Sequence, residues 1–247
     1  MKDYVEEAVD FIRGAIDPRI TSSLVRFSGG KDSICVRHLA VLSHIRFDTS
    51  YSFTGIDPPE VVAFIKKQYP ETRILRPRKN FWHLIQTHNP PLINARWCCT
   101  ALKKASSWKL PHRHRILGIR SEESARRKAY PRIDYNEAHD HFMYYPILNW
   151  KEWQVWEFIE EYQLPYPSLY DEGFDRLGCV ICPYHSGKNC GSHWRYAVRW
   201  PTYFIAFTKA VEKWYAKRVK QGRVMAHGSA HEFVWAWYQG PTRWYEK

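Results

Sequence analysis

Nowhere in this 247-residue sequence is there an apolar run approaching the roughly 20 residues that a membrane-spanning helix requires. The opening Met-Lys-Asp-Tyr-Val-Glu-Glu places acids where a secretion signal would place an apolar core. A soluble, cytoplasmic protein is therefore expected. Internal repeats and low-complexity stretches are also missing, which sets aside repeat arrays and disordered tethers. Acids are in short supply: 25 Asp+Glu stand against 37 Lys+Arg, a formal charge of +12. That balance favours polyanionic partners, although basic nucleotide enzymes share it. Six cysteines without an export signal argue for metal or redox chemistry over a disulfide framework. The length allows a substantial core, and we expect one α/β domain over residues 1–190 with a helical extension over 191–247.

Within that frame, Ser23-Leu-Val-Arg-Phe27 reads as a short buried strand, and apolar residues from Ser33 to Leu42 repeat at helical spacing. Between them stands Ser28-Gly-Gly-Lys-Asp-Ser33. The first N–H groups of a helix lack intrahelical partners and its dipole end is positive, so this junction is a candidate phosphate cradle. Gly29 and Gly30 let the backbone approach a ligand, Lys31 adds a cation and Ser33 a hydroxyl. Asp32 adds a carboxylate able to hold magnesium or orient a neighbour. The spacing is not that of the Walker loop.

Four cysteines are patterned as an adjacent pair, Cys98 and Cys99, and a Cys-x-x-Cys pair, Cys179 and Cys182. Thiolates at two such stations, brought together by the fold, suit an iron–sulfur cluster or zinc, though adjacent cysteines match zinc-ribbon spacing poorly. Cys35 reads as a small core residue, and Cys190 as structural.

Ser28 to Ser33 resembles the pyrophosphate loop of the ATP pyrophosphatases, which split ATP between its α- and β-phosphates. More of the chain, about residues 20 to 185, resembles the phosphoadenylyl-sulfate (sulfonucleotide) reductase family in its cluster-bearing form. The resemblance rests on the two cysteine pairs, on Gly118-Ile-Arg-Ser-Glu-Glu-Ser-Ala-Arg126, and on the stretches Tyr145–Trp156 and Leu164–Phe174. Thr54-Gly-Ile-Asp-Pro-Pro-Glu60 resembles, with changes, a further family loop. By this likeness Cys98, Cys99, Cys179 and Cys182 are implied as ligands of a 4Fe–4S cluster, and Arg120 and Arg126 as anion contacts.

Two departures bear on function. The reductases end in a cysteine-bearing tail, whereas here no cysteine follows Cys190, and Asn189-Cys-Gly-Ser-His193 only partly echoes that tail. The reductases also generally lack the intact loop. A relative with both features resembles the ATP pyrophosphatase subunit of DNA phosphorothioation systems. That resemblance implies ATP with Mg2+ as cofactor and cleavage of ATP to AMP and pyrophosphate, which activates a nucleic-acid phosphate for sulfur insertion. It also implies DNA as the favoured partner and a sulfur-donor protein such as a cysteine desulfurase. In this reading Lys31, Asp32 and Ser33 are catalytic, and Ser28, Gly29, Gly30, Arg120 and Arg126 assist in binding. The alternatives are a sulfonucleotide reductase and a non-catalytic binding module, against which the retained Lys31, Asp32 and Ser33 speak.

The remaining pattern predicts a leading helix from Asp3 to Ile16, strands near 23–27, 47–53, 72–76, 114–119 and 143–148, and helices near 33–45, 57–69, 98–107 and 150–162. That alternation implies a parallel sheet covered by helices on both faces, of adenine-nucleotide α-hydrolase type, with ligands outside the strands' carboxyl ends. From Pro201, the residues Phe204, Phe207, Val211, Trp214 and Val219 form an apolar helical stripe, with Lys209, Lys213, Lys217 and Lys220 along another face. Basic stretches at 76–79, 111–115 and 126–128 are expected on the substrate side, and Trp153 and Trp156 in the core.

Overall fold

A computed structural model of the chain describes residues 2–17, 19, 22–185 and 191–239. In chain order the first elements are α1 (Asp3–Ala15), β1 (Ser23–Arg26), α2 (Lys31–Leu42), β2 (Phe47–Ser52), α3 (Pro59–Gln68), β3 (Arg73–Leu75) and α4 (Phe81–Thr87). A π-helical segment (Cys99–Lys104), α5 (Ala105–Trp108), β4 (His114–Leu117), α6 (Ala125–Lys128), β5 (Ile133–Asn136), β6 (His141–Tyr144) and α7 (Glu152–Glu161) follow. The chain then forms α8 (Gly191–Arg199), α9 (Pro201–Lys220) and α10 (Ala230–Gln239). It divides into two compact units, one of residues 1–52, 59–75 and 107–177, the other of 53–58, 76–106 and 178–247.

The first unit holds a six-stranded sheet in the order β3-β2-β1-β4-β6-β5. All neighbours are parallel except β5 and β6, which pair antiparallel. The sixth strand, β5, adds to the five expected: at the sheet edge Ile133 and Tyr135 face solvent while Asp134 and Asn136 are half-buried, the reverse of an apolar-inward pattern. A correction concerns the predicted strand at 143–148, which begins at His141 and stops at Tyr144. The Tyr145 N–H donates to the Arg132 carbonyl, and Pro146 has no N–H to continue the ladder. Along β1, alternate residues face opposite sides. Val25 packs with Ile116, α1, α2 and α7, whereas Leu24 joins Leu75 and Leu110.

Chain order reverses direction at β1, which lies between β2 and β4. The carboxyl ends of β1 and β4 thus flank a topological switch point, where open α/β sheets leave a crevice for ligands. The stretch 111–115 leads into the amino end of β4 and so lies at the opposite end of the sheet, with Arg115 buried and donating to the carbonyls of His112 and Leu110. It is therefore not on the substrate side. Trp153, expected in the core, is 60% exposed, because α7 turns Val155, Phe158 and Ile159 inward and leaves position 153 on the far face.

The second unit is helical around α9. Pro201 takes the first helical position, where its missing N–H costs nothing, and Phe204, Phe207, Val211 and Trp214 are buried. Phe207 and Trp214 pack against Trp237 and Phe233 of α10, with ring centroids 4.6 and 5.5 Å apart. The Trp237 indole N–H donates to the Pro91 carbonyl at 2.8 Å. Val219, assigned to the same stripe from its spacing, is 51% exposed near the helix end. Lys209, Lys213, Lys217 and Lys220 are all exposed. Among the described residues no helix is long and apolar enough to cross a membrane.

Candidate functional site

The glycine loop leaves β1 and enters α2 at the switch point. Gly29 has φ +74°, and a Cβ there would meet Ile65 and Val61 of α3 at 3.0 Å, so both conformation and packing require glycine. Ser33 shapes the loop: its hydroxyl donates to the Gly30 carbonyl at 2.8 Å and accepts from the Ser28 N–H and the Ser28 hydroxyl, each at 3.1 Å. That uses its one donor and both acceptor positions. Ser28 itself is exposed at the loop's outer side.

The groups expected to grip an anion already have partners. The Lys31 backbone N–H, one of the helix's orphan donors, donates to the Tyr170 hydroxyl at 2.9 Å. The buried Lys31 ammonium donates to the Asp175 carbonyl at 2.5 Å and pairs with Glu152 Oε1 at 3.0 Å. It also lies over the rings of Tyr170 and Trp156, 5.2 and 5.8 Å from their centroids.

From β4 comes Gly118, where a Cβ would stand 2.6 Å from the Asp32 carbonyl oxygen. That close approach brings Arg120 beneath the loop, where its Nε donates to Asp32 Oδ1 and its Nη1 to Glu122 Oε2 at 2.7 Å. Asp32 and Arg120, expected to hold magnesium and an anion separately, are each other's partner. Glu122 also accepts from the Glu152 N–H at 2.9 Å, and so links this pair to the element that holds Lys31. Arg126 is exposed on α6, and its neighbour Arg127 pairs with Glu123.

The four patterned cysteines all belong to the second unit, each half-buried. Their thiols interact electrostatically: a hydrogen bond with Cys99, burial and the other thiols push Cys98 up. The same bond, with help from Lys103 and Arg96, holds Cys99 below the usual thiol value. Burial raises Cys179 to about 11, against the pull of Lys103. In turn Cys179, and after it Asp57, push Lys103 upward against its desolvation. Lys103 stands on the π-helical segment that begins at Cys99, where a plain α-helix was expected, and such widened turns recur at functional sites.

Thr54 and Asp57 complete these surroundings. Thr54 Oγ1 lies 3.6 Å from Cys179 Sγ, its N–H donates to Asp57 Oδ2 at 2.7 Å, and the Val180 N–H donates to the Ile56 carbonyl at 2.7 Å. Among the described residues no three Cys, His, Asp or Glu side chains close around a single metal ion. A tetrahedral zinc site with 2.3 Å bonds needs its sulfurs about 3.8 Å apart, whereas an iron–sulfur cube spreads its thiolates more widely. The donor set, four thiols with a nearby ammonium, is one that either group can use. Cys35 is wholly buried against the Val155 carbonyl, as expected of a core residue. Cys190 lies outside the described residues.

Tyr170, Glu152, Glu122, Thr54, Asp57 and Lys103 were not singled out as site residues. Thr54, Asp57, Glu122, Glu152 and Tyr170 lie in the stretches that carry the family resemblance, yet their partners are set by long-range folding; Lys103 lies outside those stretches, four residues after Cys99 on an expected helix.

Comparison with known proteins adds the family. The profile of the phosphoadenosine phosphosulfate reductase domain matches residues 22–185. An uncharacterised protein of Methanocaldococcus jannaschii is 30% identical over 193 residues, which cover 73% of this chain and 40% of that one. A second uncharacterised protein of that organism is 30% identical over 168 residues, and this chain likewise spans 40% of its length. The adenosine 5'-phosphosulfate reductase of Staphylococcus epidermidis is 23% identical over 74% of this chain and 79% of its own. Among solved structures, the phosphoadenylyl-sulfate reductase from Candida auris, a phosphate complex, superposes with a TM-score of 0.55 at 18% identity, over 70% of this chain and 88% of that one. At that identity the likeness speaks for the fold.

Proposed function

Since the chain belongs to the phosphoadenosine phosphosulfate reductase family, we propose that it is an enzyme of sulfonucleotide reductase type, acting on adenylyl sulfate or its 3'-phosphorylated form. The observation that carries this reading is the state of Lys31. Its ammonium is taken by Glu152 and the Asp175 carbonyl, and its N–H by Tyr170, so the loop is a cradle for one phosphate more than a clamp for a triphosphate tail. The Gly29–Gly30 turn and the amino end of α2 would hold the nucleotide's phosphate, and exposed Arg126 would meet a further anion on the substrate.

Reduction then needs a thiolate. Its attack on the sulfonyl sulfur breaks the S–O bond, releases AMP from adenylyl sulfate or adenosine 3',5'-bisphosphate from the 3'-phosphorylated form, and forms an S-sulfonated thiol. A second thiol displaces sulfite and leaves a disulfide, so two electrons pass from the thiols to sulfur. Cys190 or an external dithiol would supply the attacking group. Cys98, Cys99, Cys179 and Cys182 would hold a 4Fe–4S cluster, which when bound would contribute iron-centred charge and a covalent staple to the unit that carries it.

A second reading, an ATP pyrophosphatase that activates a nucleic-acid phosphate for sulfur insertion, is favoured by the intact Ser28–Ser33 loop and by the exposed lysines of α9. A side-by-side assay of anaerobically purified protein tests both. Sulfite from adenylyl sulfate plus a dithiol supports reduction; pyrophosphate from ATP, with no sulfite, supports the second reading and refutes the first.

A further inference from the structure

Tyr170 approaches the loop from the 3-10 turn Ser168–Tyr170, in the middle of a stretch that leads from α7 toward Asp175. Its hydroxyl accepts the Lys31 N–H at 2.9 Å and lies close enough to Gly30 that a Cβ there would meet it at 3.2 Å. With one phosphate held at the Gly29–Gly30 turn, a second phosphate reaching on to the Lys31 N–H would occupy the same place as this hydroxyl and take the same donor. Asp175, five residues on, fixes the Lys31 ammonium through its carbonyl, while Glu152 neutralises it from the start of α7. A triphosphate would have to displace the hydroxyl and draw the lysine out of an aromatic cage formed by Tyr170 and Trp156. A nucleotide with a single bridging phosphate need do neither.

We infer that Tyr170 is a specificity-determining residue, whose hydroxyl stands in the position of a second phosphate and so turns the loop away from pyrophosphate-bearing nucleotides. Glu152 supports it by holding Lys31 back. The inference deepens the proposed function, since it rests on the loop as the nucleotide's anion site.

The test is equilibrium binding of inorganic pyrophosphate and of AMP to the anaerobically purified full chain, comparing wild type, Tyr170→Phe and Glu152→Gln. Tyr170→Phe keeps the ring and removes only the hydroxyl. Recovery of one hydrogen bond for the ligand predicts about fivefold tighter pyrophosphate binding, with AMP changed by less than about twofold. Glu152→Gln, at an exposed carboxylate, frees the lysine and is expected to move pyrophosphate binding in the same direction. Pyrophosphate affinity that is unchanged or weaker in both variants overturns the inference, as does an equal gain for AMP. Failure of the enzyme to release sulfite from adenylyl sulfate would refute the reductase reading separately, because the pyrophosphate measurement needs no turnover.

Discussion

Replacement of Gly118 by alanine tests how tightly the end of β4 is pressed against the first turn of α2 in the candidate site. The added Cβ would stand 2.6 Å from the Asp32 carbonyl oxygen, 2.7 Å from the Asp32 carbonyl carbon and 3.0 Å from the Ser33 nitrogen. All three are backbone atoms of the first turn of α2, anchored by the Ser33 N–H bond to the Gly30 carbonyl at 2.9 Å, and cannot swing aside as a side chain would. The φ of Gly118 lies outside the left-handed region, so the cost is one of packing alone.

One extra carbon in a filled space costs about 1–3 kcal/mol, and a rigid obstacle places this case in the upper half of that range. For a chain of this size each kcal/mol lowers the melting temperature by roughly 2–4 °C, so a drop of about 4–12 °C is expected. The shift of α2 should also weaken AMP binding. Gly14→Ala is the matched control: it lies within α1 with nothing inside 4 Å of the added carbon, and should stabilise by about 0.5–1 kcal/mol. Thermal unfolding followed by circular dichroism, with AMP affinity measured on the same samples, decides the matter. If Gly118→Ala melts within about a degree of wild type, the close approach of the two backbones is wrong.

The protein purified without oxygen should be brown, and serine at any one of Cys98, Cys99, Cys179 or Cys182 should lower its iron content, since a hard oxygen replaces a soft thiolate; stoichiometric zinc without iron refutes this. Burial, aided by Arg37, Arg113 and Arg115 respectively, holds His38, His114 and His141 below the ordinary value of 6.5. As pH falls through 6.5 the unfolded chain therefore takes up protons first, and stability present above that pH is lost progressively below it. Urea midpoints at pH 5 and 7.5 should show this loss, and His114→Gln with His141→Gln should lessen it; an unchanged pH dependence would count against their burial. If α9 meets a nucleic-acid backbone, binding should weaken steeply with salt, and glutamate at Lys209, Lys213 and Lys217 should weaken it further and flatten the slope. Filter binding across a salt series measures this, and no difference between wild type and triple mutant removes the direct contact.

The parts of this protein legible in its sequence are those written in local chemistry. Gly29 and Gly30 between an apolar run and a helical repeat mark a strand, a turn and a helix end without reference to any distant residue. Pro201 marks the first residue of α9, and the stripe through Phe204, Phe207, Val211 and Trp214 its buried face. Edge strand β5 was illegible because only four residues alternate and its apolar side chains, Ile133 and Tyr135, lie on the exposed face, and the widened turn at Cys99–Lys104 because periodicity alone does not distinguish it from an α-helix.

The pairing of four cysteines as an adjacent pair and a Cys-x-x-Cys was likewise legible, but the partners of the glycine loop were not. Lys31, Asp32 and Arg120 announce their charges in sequence, yet whether each is offered to a ligand or spent on a neighbour depends on groups 88 to 144 positions away. Strand order places β4 beside β1 and so delivers Arg120 to Asp32; the return of the chain after α7 delivers Tyr170 and Asp175 to Lys31. The sequence by itself determined which chemistry could stand at the switch point, because side-chain type and backbone freedom are local properties. Only the tertiary structure decided how those charges are paired, because pairing is set by distance in space.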